Sequence, residues 1–275
     1  MSPGILTWGE LMKNKHVVVT GGSRGIGRGL TENFLKSGCR LTINGRSEKV
    51  LSEAVRELRE VYGQEAITGF TCDVADKGRL ETFCAQAVSV HGEIDIWINN
   101  AGIDQIRQNF WEMSEADYSR VFRTNIDGTI NGCIVAANQM LAQGAGRIYN
   151  MEGFGSDGRK IPQLSIYGAS KRAVSYFTES FNLELQQTPV SAALLSPGMV
   201  MTDFLRKGLP SDPVQKEKTM KVYNILADEV QDVTAFLVKE ILSDSGSKKR
   251  IAWLTTGKVM RRFLFAPFNR RDFFK

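Results

Sequence analysis

Short β-branched runs alternate along the chain with longer stretches whose apolar residues recur at helical spacing. HVVVT (16–20), RLTIN (40–44), AITGFTCDV (66–74), IDIWINN (94–100), GRIYNM (146–151), VSAALLSPG (190–198) and RIAWLT (250–255) predict strands. GRGLTENFLKSG (27–38), EKVLSEAVRELREVYG (48–63) and KGRLETFCAQAVSVHG (77–92) predict helices that stop at glycine, and further helices are expected over 115–143, about 165–187 and about 228–243. This alternation predicts an α/β chain with a parallel sheet and helices on both faces. Right-handed crossovers then make the sheet doubly wound. No repeat or linker divides the sequence, so residues 1–275 read as a single domain. Two stretches leave the pattern. Residues 203–227, with Pro210 and Pro213, read as an irregular insertion, and 258–275 (KVMRRFLFAPFNRRDFFK) as a basic, aromatic tail.

Composition narrows the class. With 42% hydrophobic residues the chain has enough apolar surface for a core. The net charge of +5 is spread among mixed signs, so nucleic acid is not an expected partner, whereas an anionic cofactor or membrane surface suits the basic lean. Cys39, Cys72, Cys84 and Cys133 form no C-x-x-C pair, and only His16 and His91 accompany them, which predicts no metal site and reduced cysteines. The N-terminus lacks the plan of a signal or transit peptide, and no run of ~18 apolar residues spans a membrane. A cytoplasmic protein is expected, with Trp8 and Leu11 tucked against the fold and both histidines structural.

Two patterns carry candidate chemistry. TGGSRGIG (20–27) follows the first strand and opens the first helix. Glycines there permit a tight turn, and the helix N-terminus offers free N–H groups and partial positive charge to a pyrophosphate. The second strand ends in Asn44, not in an acidic residue that would bind a ribose 2′-OH. Arg24 and Arg46 instead suit a 2′-phosphate, which favours NADPH over NADH. In YGASK (167–171), Tyr167 and Lys171 share a helix face. A nearby ammonium favours the phenolate, so the pair reads either as a tuned general acid or as a surface pair.

Further stretches decide between those readings. NNAG (99–102) follows the fourth strand, TNIDG (124–128) lies in a helix, and SPGMVMTD (196–203) follows the sixth strand. With TGGSRGIG and YGASK, in this order from about residue 14 to 203, the chain resembles the short-chain dehydrogenase/reductase family, which has a Rossmann fold. The resemblance implies Tyr167 as proton donor to a carbonyl oxygen, Lys171 holding the nicotinamide ribose and lowering the tyrosine pKa, and Asn125 in a proton relay. It implies an NADPH/NADP site bordered by Gly21, Ser23, Arg24, Gly25, Ile26, Gly27, Arg46, Asp73, Val74, Asn99, Ala101 and Gly102. Pro197, Gly198, Val200 and Thr202 would line the nicotinamide side. One departure stands out. The family's usual serine, thirteen residues before the tyrosine, is Phe154 here, and Glu152 and Gly153 replace the usual serine pair. Ser156 is the candidate to bind the substrate carbonyl in its place.

That departure is itself a signature. NMEGFGSDG (150–158), SPGMVMTDFL, NILAD (224–228) and the late WLTTGKVMRR resemble the chlorophyll(ide) b reductase branch of the family. The branch implies NADPH-dependent reduction of the 7-formyl group of chlorophyll b or chlorophyllide b to hydroxymethyl. Phe154, Met199, Phe204 and Leu205, with Met201 and Leu209 beside them, would wall an apolar cleft for so large a carbonyl substrate. The alternatives are a generic short-chain alcohol dehydrogenase or 3-oxoacyl-thioester reductase, and a non-catalytic NADP-binding protein. The tail suits an oligomer interface, self-packing or peripheral contact with a membrane, and a homo-oligomer is expected.

Overall fold

The computed structural model describes residues 14–210, 212–268 and 271–274. The expected positions of Trp8 and Leu11, and residues 269, 270 and 275 of the tail, lie outside them. The strands are β1 (His16–Val19), β2 (Arg40–Gly45), β3 (Ile67–Thr71), β4 (Ile96–Asn99), β5 (Gly146–Met151), β6 (Val190–Ser196), β7 (Val200–Met201), β8 (Asp228–Glu229) and β9 (Arg250–Ala252). Seven of them form one sheet in the order β3-β2-β1-β4-β5-β6-β9, and β7 pairs with β8 in a separate ribbon. Every described pairing is parallel. The helices are α1 (Gly25–Lys36), α2 (Glu48–Tyr62), α3 (Lys77–His91), α4 (Glu115–Phe122), α5 (Gly128–Gln143), α6 (Ser165–Glu184), α7 (Asp203–Lys207), α8 (Pro213–Leu226), α9 (Val230–Leu242) and α10 (Thr256–Phe265).

Residue alternation in the strands feeds two cores, one on each face of the sheet. Val17 and Val19 of β1 pack with Leu30 and Phe34 of α1 and Leu237 and Ile241 of α9. Val18, between them, packs with Trp97, with Phe83 of α3 and with Ala136 and Met140 of α5. β1 and β4 are therefore buried along their whole length, which is why they read as nearly continuous apolar runs. Strand order reverses between β1 and β4, so their carboxyl ends open a crevice, the usual ligand position in such sheets. All four cysteines are buried and none forms a disulfide.

Several elements differ from the sequence expectation. The stretch 115–143 is helical throughout, as expected, but with a π turn inside it at Arg123–Asp127. β6 stops at Ser196 because Pro197 has no N–H for the ladder. The supposedly irregular stretch 203–227 is mostly helical, forming α7 and α8. Pro213 stands in the first turn of α8, where a missing N–H costs nothing, and Asp212 caps Gln215 N at 2.8 Å. Much of the tail is likewise the helix α10, capped by Thr255 through Lys258 N at 3.3 Å.

Candidate functional site

The turn between β1 and α1 is built so that only glycine fits its key positions. Gly21 and Gly25 have φ of +64° and +55°, the left-handed region that glycine enters freely. A β-carbon on Gly27 would overlap the Gly21 carbonyl. Asn44, at the end of β2, holds the turn: its Oδ1 accepts from Gly21 N at 2.8 Å, and its carbonyl accepts from Gly22 N at 3.1 Å. Arg24 occupies the N-cap of α1 without a side-chain cap, and the first helical bond runs from Arg28 N to Arg24 O. Gly25, Ile26 and Gly27 therefore present N–H groups at a positive helix end. Ser23 lies against Gly45, 3.3 Å from the place of its absent β-carbon. Arg24 and Arg46 thus leave adjoining loops; both are exposed and have no ionic partner among the described residues.

The two asparagines of NNAG face opposite ways. Asn99, expected to border the cofactor, turns its side chain into the core, because successive residues of a strand point to opposite faces. Its Oδ1 accepts from Trp97 Nε1 at 2.7 Å and its Nδ2 donates to Asn150 Oδ1 at 2.8 Å. Asn150 in turn donates to Thr178 Oγ1 at 2.8 Å. Asn100, which the sequence reading passed over, binds the glycine turn by donating to Thr20 O at 2.9 Å. Thr20 Oγ1 accepts from both Asn100 N and Ala101 N at 3.0 Å. On the neighbouring loop Asp73 accepts from Ala75 N at 3.0 Å, and Val74 fills the space a side chain on Gly128 would need.

Gly102 marks where three elements meet. A β-carbon there would stand 3.3 Å from Asn125 Oδ1 and 3.6 Å from Lys171 Nζ. Asn125 is fully buried in the π turn; its Oδ1 accepts from Ile103 N at 2.8 Å, and its Nδ2 donates to Ile103 O and Ser170 Oγ at 3.0 Å. Such π turns recur at functional sites. Tyr167 and Lys171 are both buried in the first turns of α6. The ammonium lies 6.0 Å from the Tyr167 ring centre and donates to Met151 O at 3.1 Å.

The electrostatics correct one expectation. Lys171 does not hold the phenol down in this structure. Burial, then the negative charge of Asp104, pushes the Tyr167 phenol well above its ordinary range. Burial also brings Lys171 down to about 8, against the opposing pull of Glu152. Tyr167 is thus a fully protonated donor at neutral pH, and Lys171 is the group that titrates near it.

The segment that replaces the usual serines packs under Tyr167. A β-carbon on Gly153 would overlap the Tyr167 hydroxyl, and one on Gly155 would press on the Gly168 backbone. Glu152, nearly buried, ties the end of β5 to β9 through Arg250 Nη2 at 2.8 Å and accepts from Ser175 Oγ of α6 at 3.2 Å. Ser156, the candidate for carbonyl binding, spends its hydroxyl on the backbone: it accepts from Gly153 N at 3.2 Å and donates to Lys171 O at 3.3 Å. It shapes the turn beneath the tyrosine. Phe154 is half-buried on the same turn.

The remaining wall comes from SPGMVMTD and the helices after it. Gly198, with φ +71°, lies against Leu254, and Pro197 is buried beside it. Val200 and Met201 are buried in β7, which removes Met201 from any cleft wall. Met199 accepts from Asp228 N at 3.0 Å through its carbonyl. Thr202 caps α7 through Leu205 N at 3.3 Å, and its methyl lies 3.8 Å from where a Gly25 β-carbon would be, directly over the glycine turn. Phe204 packs on the Tyr167 ring at 5.8 Å between centres.

The loop after NNAG supplies residues no motif announced. Gln105 accepts from Tyr167 N at 2.7 Å and donates to Gln163 O at 2.8 Å, anchoring the start of α6. Asp104 pairs with Arg107 at 2.7 Å, and Arg107 reaches Gly208 O at 3.4 Å, joining this loop to the end of α7. The chain's last described residues brace the same wall. Phe274 stacks on Tyr223 of α8 at 6.3 Å and lies 5.7 Å from the Arg206 guanidinium, while Arg206 donates to Phe273 O at 2.9 Å.

Comparison with known proteins agrees with this arrangement. The model for the short chain dehydrogenase family matches residues 15–212. Chlorophyll(ide) b reductase NOL, chloroplastic, of Arabidopsis thaliana is 38% identical over 242 residues, which cover 85% of this chain and 68% of the relative. Its counterpart in Oryza sativa subsp. japonica is 35% identical, with 86% and 69% covered. The crystal structure of a gluconate 5-dehydrogenase from Burkholderia cenocepacia J2315, in complex with NADP and tartrate, superposes with a TM-score of 0.78 at 24% identity, over 90% of this chain and 96% of that one. That likeness shows the fold alone. With the family model covering most of its length, the chain belongs to the short chain dehydrogenase family and, within it, resembles the chlorophyll(ide) b reductases.

Proposed function

We propose that the protein is an NADPH-dependent carbonyl reductase that reduces the 7-formyl group of chlorophyll b or chlorophyllide b to hydroxymethyl. The observation that carries the reading is the convergence at Gly102 of Asn125 Oδ1 and Lys171 Nζ, next to a buried Tyr167. Binding alone does not require a proton donor with a relay behind it. Similarity to the two chloroplastic reductases supports the substrate class.

The open N–H groups at the start of α1 and the exposed Arg24 and Arg46, without an ionic partner among the described residues, fit a dinucleotide with a 2′-phosphate. Gly21, Ser23, Gly25, Ile26 and Gly27 would hold the pyrophosphate, and Arg24 and Arg46 the 2′-phosphate. Asp73 and Val74 would border the adenine, Ala101, Gly102 and Lys171 the nicotinamide ribose, and Pro197, Gly198, Val200 and Thr202 the nicotinamide side. NADPH, when bound, supplies a hydride to the carbonyl carbon. As negative charge develops on the carbonyl oxygen, the Tyr167 hydroxyl gives up its proton to it, and the Lys171 ammonium returns a proton to the phenolate through a relay in which Asn125 would hold a water. With Ser156 engaged by backbone, Tyr167 is the donor that polarises the carbonyl. Phe154, Met199, Phe204 and Leu205 would face the macrocycle. A homo-oligomer is part of the proposal: α5 and α6 leave Ile134, Leu141, Tyr176 and Leu183 exposed.

The test is NADPH oxidation by the purified protein with chlorophyllide b, beside simple aldehydes and 3-oxoacyl thioesters, with pigment products identified by absorbance and mass. The 7-hydroxymethyl product is expected. Turnover of the small carbonyls alone would overturn the pigment assignment and leave the family intact.

A further inference from the structure

α10 and the residues after it enclose a cavity that the proposed reduction does not use. It lies between the carboxyl end of α8 and the inner side of α10, measures about 340 Å3, and is lined by Asn224, Ile225, Arg261, Arg262, Phe265 and Arg271, among others. Three guanidinium groups meet there. Asp228, buried, accepts from Arg262 Nη2 at 2.7 Å and from Arg271 Nη1 at 3.0 Å on one oxygen, and from Trp253 Nε1 at 2.6 Å on the other. Arg271 also donates to the carbonyl oxygens of Asn224 and Ile225 at 3.2 Å and to that of Ala227. Arg261 is exposed and has no hydrogen-bond or ion-pair partner among the described residues. Lys258, on α10 with Arg261 and Arg262, adds a further cation, its ammonium 3.0 Å from the Trp253 ring centre. Asp228 offsets part of this charge, and the described cations around the pocket stay in excess of it. Burial brings Lys258 down to about 8, with Asp228 pulling it up and the three arginines each adding a smaller push down.

The outer side of α10 is apolar and uncovered. Met260 and Leu264, four residues apart in α10, share a face and are 69% and 71% exposed, and Phe268, in the turn that follows the helix, is 87% exposed. No helix among the described residues is long and apolar enough to cross a membrane. A short helix with an apolar face and cations along its flank is instead the form that lies in the plane of a bilayer surface. Charge selects the occupant. Arg261 leaves its guanidinium fork available for phosphate oxygens, Arg262 and Arg271, held by Asp228 and backbone carbonyls, add positive charge around it, and an apolar rim beside them matches the junction of headgroup and acyl chain.

We propose that this end of the molecule docks on an anionic lipid surface, with a phosphate-bearing headgroup entering the cavity lined by Arg261, Arg262 and Arg271 while Met260, Leu264 and Phe268 enter the acyl boundary. The pocket shares α8 and Arg271 with the braced wall of the cleft, so the test variants are made at Arg261 and Leu264 of α10, which the proposed reduction does not use.

Flotation of the full chain with vesicles tests this. Vesicles of phosphatidylcholine with about 30 mol% phosphatidylglycerol should carry the protein, pure phosphatidylcholine should not, and about 0.5 M salt should release it. Arg261→Glu and, separately, Leu264→Asp should each lower the bound fraction roughly tenfold or more while NADPH oxidation in solution is unchanged. A parallel arm titrates inorganic phosphate and glycerol 3-phosphate and follows thermal unfolding. Stabilisation by these anions without vesicle binding would overturn the lipid as the source of the phosphate. Equal binding to both vesicle types, or undiminished binding of Arg261→Glu, would overturn the pocket.

Discussion

Gly153 lies so close beneath Tyr167 that a β-carbon added to it would overlap the phenol oxygen, and it would also stand 3.1 Å from Lys171 Cγ. Most members of the family are expected to place a serine pair at this point of the chain, where this protein has Glu152 and Gly153. The absence of a side chain is what lets the phenol sit where it does. Gly153→Ala should therefore lower kcat at least roughly tenfold, since a misplacement of about 1 Å costs on the order of a hundredfold. The dissociation constant for NADPH, measured by fluorescence titration, should stay within about twofold of the unaltered protein. Unchanged kcat would show that Tyr167 is not positioned by this contact.

Tyr167 and Lys171 should divide the pH dependence between them. The phenol is pushed upward by burial and stays protonated through neutral pH, while Lys171 titrates at about 8. The ammonium is present below that value and lost above it, so kcat/KM should fall as pH rises through about 8. Tyr167→Phe should abolish turnover with NADPH still bound. The stability sign runs the other way. The folded value of Lys171 lies below its ordinary 10.5, so between about 8 and 10.5 the folded chain holds fewer protons than the unfolded one, and this group makes stability rise with pH in that window. A pH–rate profile flat to pH ~10 would remove Lys171 from the relay.

Among the described residues Arg24 and Arg46 have no ionic partner to compensate for their loss. Hydrogen bonds to charged groups contribute about 1.5–3 kcal/mol, so Arg46→Ala should raise the NADPH dissociation constant roughly tenfold or more. Binding of NADH, which has no 2′-phosphate, should change less than about twofold. Equal losses for both cofactors would refute the 2′-phosphate assignment.

Asp228 joins the two arginines, Trp253 and the carboxyl end of α8. Asp228→Ala strands two partly buried guanidinium groups and should cost about 3 kcal/mol of stability. Urea denaturation would register this as a lower midpoint. A smaller change, under about 0.5 kcal/mol, would mean that water replaces the carboxylate without penalty.

The alternating pattern and the glycine turn were readable in the sequence because both depend on local chemistry: strand-buried valines, and glycines where positive φ is required. The motifs also placed Tyr167, Lys171 and Asn125, which the fold brings together around Gly102. What escaped was whatever depends on direction or on distant partners. Asn99 and Asn100 are adjacent letters, yet strand alternation sends one into the core and the other to the glycine turn. Ser156 has the right chemistry, but its hydroxyl is already bound by Gly153 N and Lys171 O. Gln105 and the Asp104–Arg107 pair act across gaps of many residues, and no local spacing signals them. The prolines of 203–227 suggested irregularity because a proline in a first helical turn and a proline in a loop look alike until the cap at Asp212 is seen.

The order in which the parts of the site occur along the chain has a consequence for how the protein is made. The glycine turn, Asn125, Tyr167 and Lys171 all belong to its first two-thirds, and domains emerge from the ribosome in that order. The wall formed by α7 and α8 is different: it is braced by Arg271, Phe273 and Phe274, which leave the ribosome after all of these. The growing polypeptide therefore assembles its reactive centre while one side of the cleft still lacks its brace, and that side is fixed only once the later segment has emerged.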